Sequence, residues 1–215
     1  MKILFGVILV SQANGHGYIS NPPAQFKDST SKTRFNALID ENIDPAFSGL
    51  KWNGSPDNNL NTFTNSFNKS KFTSLKNMFD TANVDCGNSR TDVANVDVSM
   101  MNSMSWQNDE YKEGFINSHS GPCEVWIDNE RVFNNNDCRS AYTDYPAMLP
   151  IKYDSCKGKC LLQFYWCAVH EPKWQLYKQC VPIVYEKKGT TSSSVGKSIE
   201  YQVSVEGETC SCKIV

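Results

Sequence analysis

A chain of 215 residues, with 21 Lys and Arg against 23 Asp and Glu, carries a formal charge of −2 and has room for one domain of ordinary size rather than two large ones. That balance gives no electrostatic footing for a nucleic-acid partner. Past residue 15 nothing approaches the ~20 consecutive apolar residues that a membrane helix needs, so no membrane partner is expected either.

The chain opens with Met1-Lys2, an apolar run from Ile3 to Val10, and small residues at Ala13 and Gly15. This is the pattern of a secretory leader over 1–15, too short to span a bilayer, with the cut expected after Gly15. The mature protein then starts at His16 and is secreted. From His16 the chain passes Pro22-Pro23 into an Asn, Ser and Thr-rich region that ends near Cys86 and reads as loops with short helices. Asn53 in Asn-Gly-Ser and Asn68 in Asn-Lys-Ser are glycan acceptors by triplet, the first weakened by Pro56. Phe72, Leu75, Phe79 and Ala82 recur at helical spacing and predict an amphipathic helix packed on the core.

From Val93 the pattern turns to alternation. Val96 and Val98, the stretch Cys123 to Asp128, the apolar run Leu161 to Val169, Gln175 to Tyr185, and Ile199 to Val205 all read as strands, with Gly, Pro, Asn and Asp between them. Short strands with polar connections predict a mainly β fold, an immunoglobulin- or fibronectin-like antiparallel β-sandwich with long loops and short helices. Residues 189–196 are Ser and Thr-rich, a hairpin loop or the start of a linker. Nine cysteines behind a leader point to disulfides, with Cys156 to Cys160 and Cys123 to Cys138 as candidate staples and an odd thiol over.

Only three histidines exist, so an imidazole site is quickly enumerated: His16, His119 and His170. Removal of the leader frees the amino group beside the His16 ring, so one residue offers a metal two nitrogens. His119 lies in a turn ahead of the strand at Cys123, where a ligand can face solvent on a rigid scaffold. Gln175 and Tyr177 are two apart on a strand and share a face, about 7 Å apart along the chain, while Leu176 and Cys180 face the other way. Trp126, Trp166 and Trp174 read as core packing, and Tyr18 either lies exposed beside the site or packs inward.

These residues resemble the secreted copper-dependent lytic polysaccharide monooxygenases. The resemblance is carried by His16-Gly17 at the mature start, by His-Ser-Gly-Pro-Cys-Glu-Val-Trp-Ile-Asp from His119, and by Phe-Tyr-Trp-x-Ala-x-His-x-Pro-x-Trp-Gln-x-Tyr-Lys-x-Cys from Phe164 to Cys180. It spans His16 to about Pro182 and is most similar to the oomycete branch described as oxidising pectic homogalacturonan. What it implies is a catalytic domain over 16–188, with 189–215 as a tail or extra strand. It further implies a histidine brace in which the His16 amine and ring and the His119 ring bind one copper. Tyr177 is then the axial residue and Gln175 the donor that orients the oxygen co-substrate. His170 is either a supporting residue near Gln175 or a surface or capping histidine after a strand.

The donor set suits Cu(II), which favours tetragonal nitrogen ligation, and an amine with a pKa near 8 gives up its proton to a metal at small cost. An external electron donor and O2 or H2O2 would complete the reaction on a cell-wall polysaccharide, performed by a monomer. Lys173 and Lys178, which flank Gln175 and Tyr177, are the cations nearest in sequence that an acidic polysaccharide could meet. Two other readings compete: a non-catalytic copper-binding protein with the same brace, and a metal-free polysaccharide-binding β-sandwich. A thiol hydrolase built on Cys123 is disfavoured because cysteines in secreted domains are usually paired.

Overall fold

The computed structural model describes residues 17–186 and the backbone of two further strands at 202–205 and 208–211. His16, and with it two of the three expected copper nitrogens, lies outside the described residues. The architecture is mainly β. A small antiparallel sheet is formed by β1 (Tyr18–Asn21), β4 (Ser103–Gln107) and β7 (Ala147–Pro150), in the order β1-β4-β7. A larger one has the order β2-β9-β8-β5-β6, from β2 (Ala37–Ile39), β5 (Cys123–Ile127), β6 (Glu130–Asn135), β8 (Gly158–Ala168) and β9 (Trp174–Tyr185). β3 (Val96–Asp97) joins it in parallel with the end of β9. The last two strands, β10 (Gln202–Val205) and β11 (Glu208–Ser211), pair with each other.

The large sheet is buried on both faces, which explains why Leu161 to Val169 is a continuous apolar run rather than an alternating one. Phe164, Trp166 and Ala168 point inward between the sheets, against Ile19, Met104, Trp106 and Leu149 of the small sheet. Tyr165, Cys167 and Val169 point outward, and with Trp174 and Leu176 of β9 they lie under a helical layer. That layer contains α1 (Pro56–Phe67) and α2 (Leu75–Thr81). Trp174 is its centre: the rings of Phe47, Trp52 and Phe63 sit 5.0, 4.7 and 4.9 Å from it.

Each helix starts where a serine can cap it. Ser55 accepts from the Asn58 N–H with Pro56 at the first helical position, and Ser74 accepts from the Asn77 N–H. The second cap shortens the helix expected over Phe72 to Ala82: Phe72 lies in the loop before Ser74, and Ala82 closes the last turn. Phe72 is buried all the same. The region from His16 to Cys86 also holds β1 and β2, where only loops and helices were expected.

Among the described residues three disulfides staple the chain. Cys123–Cys138 and Cys156–Cys160 are the two candidate pairs, and Cys86–Cys180 ties the end of the helical layer to β9. Cys167 is the free thiol among the described residues and is fully buried, which pushes its pKa up. No helix among the described residues is long and apolar enough to cross a membrane.

Candidate functional site

One corner of the large sheet gathers the chemistry. β8 and β9 are antiparallel neighbours, and their register sets Trp166 opposite Tyr177 and Ala168 opposite Gln175. The Tyr177 ring stacks on Trp166 with centroids 4.7 Å apart, and its hydroxyl donates to Gln175 Oε1 at 2.5 Å. Gln175 and Tyr177 thus share a face and touch, whereas Leu176 lies in the outer, helix-covered core. Burial pushes the Tyr177 phenol well above its ordinary pKa, with Glu171 adding to the rise, so it is a neutral donor at working pH.

Two loops at the same end bring in the imidazoles. His119 sits in the loop before β5, its N–H bonded to the Ile116 carbonyl and its Nδ1 2.8 Å from Ser118 Oγ. His170 follows β8 in the β8–β9 loop. Their ring centroids are 3.7 Å apart with a tilt of 34°, and Trp166 lies 6.2 Å from His119. Desolvation pulls the His170 pKa down, opposed by Glu171 3.9 Å away, and its Nδ1 is buried with no hydrogen-bond partner among the described residues. The His170 ring, directly after β8, is packed against His119 and its side chain is 9 % exposed.

The His119 loop is held from several sides. Ser120 O accepts from the Val169 N–H and Pro122 O from the Cys167 N–H, which lays the loop along the end of β8. Arg139 Nη2 donates to Ser120 Oγ at 2.6 Å and to Asp57 Oδ1 at 3.1 Å, joining the loop to the first turn of α1. The Gly121 N–H donates to Asp137 Oδ1, and the Cys123–Cys138 disulfide closes the clamp.

The start of the described chain is pinned to the same corner. Gln179, two residues beyond Tyr177 on the same face of β9, accepts from the Ile19 N–H at 2.9 Å and donates to Gly17 O at 3.3 Å. Gly17 has φ +126, and a Cβ there would fall 2.4 Å from Trp106 Nε1, so only glycine fits against that indole. Trp106 in turn lies 6.5 Å from Tyr177, ring to ring. The backbone that follows His16 is therefore fixed within the aromatic cluster that carries Tyr177.

No protein-family model matches this chain, and no curated protein matches it.

Among the described residues no group of three or more His, Cys, Asp or Glu side chains is placed to hold a metal ion. Two imidazoles, a neutral phenol and an amide are what this part of the corner offers, a set in keeping with a borderline cation such as Cu(II) once further nitrogens are supplied. Sequence reasoning missed Gln179, although it continues the same alternation as Gln175 and Tyr177. It also missed Phe35, whose exposed ring meets Tyr177 edge-on at 6.3 Å, and the Asp57–Arg139–Ser120 clamp, which no local pattern announces. Trp166 and Trp174 are core as expected, and Trp126 is partly buried beside the outer core.

Tyr18 does both things expected of it in part: half-buried, it donates to Asp109 Oδ2 at 2.9 Å with Lys32 Nζ 3.7 Å over its ring. Lys178 turns away from the corner. Its Nζ is buried on the opposite face of β9, donates to Val84 O and sits 5.1 Å from the Tyr165 ring, so it presents no charge to a ligand beside Tyr177. Lys173 is exposed.

Proposed function

We propose that this chain is a secreted copper-dependent monooxygenase that oxidatively cleaves the glycosidic bonds of a cell-wall polysaccharide, pectic homogalacturonan being the first to test. The observation that carries the reading is the convergence of His119, His170, Gln175 and Tyr177 at one corner of a β-sandwich to which Gln179 also ties the backbone after His16. His16, through its amine and ring, and His119 would hold the metal. Bound copper, served by an external electron donor and O2 or H2O2, supplies the oxidising power that removes hydrogen from a sugar carbon at the glycosidic bond.

The protein's own part is orientation. Ser118 fixes the His119 ring through Nδ1, and the fit of the other nitrogen to a ligand then depends on how firmly the loop is clamped. Tyr177 stays protonated and is itself held by Gln175, so the pair presents a rigid polar edge. Burial favours the uncharged form of His170, which keeps a second positive charge away from a cation at His119. The three disulfides and the absence, among the described residues, of a membrane-crossing helix fit the secreted part of the reading. Pectin comes from the resemblance alone, with chitin and cellulose as the next candidates.

The test is the Cu(II) EPR spectrum of protein whose first residue is verified as His16, at one equivalent of copper. An axial signal with nitrogen couplings that is lost in His119→Ala supports the site, and polysaccharide screening with a reductant follows. An aqueous-like spectrum would leave a metal-free binding module as the better reading. A clean copper signal without peroxide formation on reduction would point to a non-catalytic copper carrier.

A further inference from the structure

The two Asn-x-Ser triplets meet different structural fates. Both serines are hydrogen-bonded, Ser55 Oγ accepting from the Asn58 N–H and Ser70 Oγ donating to Phe67 O and accepting from the Phe72 N–H, so what sets Asn53-Gly54-Ser55 apart is that Pro56 follows at once as the first residue of α1 and that the Gly54 N–H is bound to Asn59 Oδ1. In Asn68-Lys69-Ser70 the asparagine is the C-terminal cap of α1, exposed, and opens a surface turn. An exposed turn after a helix lets the triplet be presented without breaking any element.

Beside Asn68 runs a groove of about 200 Å³ between the end of α1 and the β5–β6 hairpin. Its lining includes Thr64, Phe67 and Asn68 on one side and Arg131, Asn134 and Asn136 on the other. Phe67 stacks on Phe63 at 5.5 Å, which makes an apolar floor, and the amides and guanidinium form polar rims. An apolar floor with polar rims suits a pyranose ring bearing hydroxyl and N-acetyl groups. The attachment point is itself one of the lining residues, so a sugar on Asn68 starts at the groove's edge.

We propose that Asn68 carries an N-linked glycan whose first N-acetylhexosamine lies in this groove, and that Asn53 stays unmodified. The proposal rests on the secretory part of the reading above. In the transfer, the Asn68 amide nitrogen displaces the pyrophosphate from C1 of a lipid-pyrophosphate-linked oligosaccharide. An N–C1 bond forms, the C1–O bond breaks, one amide proton is released and the lipid pyrophosphate leaves.

The experiment is secretion of the full chain from a eukaryotic host, followed by peptide mapping after amidase release in H2-18O. Conversion of Asn68 to labelled Asp, with Asn53 unchanged, is the expected result. A secreted chain that is unmodified at Asn68, or modified at Asn53 instead, overturns this proposal alone. A chain retained inside the cell and unmodified overturns the secretory reading and the proposal with it. The groove is tested by melting: trimming to a single N-acetylglucosamine should leave Tm unchanged, whereas complete removal, or Asn68→Gln, should lower it by about 2 °C. Equal Tm in all three overturns the seat in the groove.

Discussion

Gly121→Ala is the sharpest test of how the His119 loop is seated. A Cβ at position 121 would fall 1.9 Å from the Cys167 carbonyl oxygen and 2.8 Å from its carbon, both backbone atoms of β8. Ordinary contact begins near 3.4 Å, so loop and strand must part by about 1.5 Å. That movement sacrifices the Cys167 N–H to Pro122 O and Val169 N–H to Ser120 O bonds, which flank the site of the clash. Two backbone hydrogen bonds at about 1 kcal/mol each, with about 1–3 kcal/mol of overpacking, give a loss of about 3–5 kcal/mol. For a domain of this size the expected fall in Tm is roughly 10 °C by calorimetry or dye-monitored melting. Gly49→Ala is the control: its φ is +72 but a Cβ there meets nothing within 4 Å, so only about 1 kcal/mol of backbone strain is expected. If Gly121→Ala melted within 2 °C of the parent, the close approach of loop to strand would be wrong, and with it the geometry assigned to His119.

Arg139→Ala removes the donor to Ser120 and Asp57 and should cost about 1–2 kcal/mol in a melt while also loosening copper binding in a titration; equal affinity would separate the clamp from the metal site. Tyr177→Phe keeps the stack on Trp166 but loses the bond to Gln175, so it should melt within about 1.5 kcal/mol of the parent yet change the copper EPR parameters. Asp109 supplies the pH prediction. Desolvation raises its pKa, but hydrogen bonds from Gln107, Tyr145, Tyr18 and Lys32 outweigh it and hold the carboxyl well below the usual range. Its stabilising effect is present above the unfolded value of about 3.9 and is lost as pH falls through the folded one. Since Asp109 is 43 % exposed the effect is small, and Asp109→Asn should flatten the acid limb of Tm against pH below about pH 4. An unchanged acid limb would refute the assignment.

The strongest signals in the sequence came from elements buried on both faces. β8 and β9 are long and apolar, and the shared face of Gln175 and Tyr177 follows from a period of two alone. β1, β2 and β6 left weak traces because they are short or lie at sheet edges, and β1 buries fully only Ile19. β7 alternates buried and exposed over just four residues, too few to stand out. The meeting of His119 and His170 could not be read at all, since they sit on separate loops and only strand register sets their distance. Cys86–Cys180 was equally hidden, because pairing across 94 residues depends on where the helical layer ends.

That bond also sets a covalent topology. Cys86–Cys180 closes a large ring, and the other two disulfides lie inside it. His119, His170, Gln175 and Tyr177 are all within the ring, while His16 is outside. A protease cut at the exposed Tyr111–Lys112 turn therefore leaves one covalent particle, visible as two pieces only after reduction. A cut at exposed Lys51 instead severs the segment ahead of it, His16 included, from everything else. Damage to this protein is thus asymmetric: the ring keeps the His119 side of the proposed copper site through a nick, and a single scission ahead of Cys86 leaves the His16 side held only by noncovalent contacts such as those of Gln179.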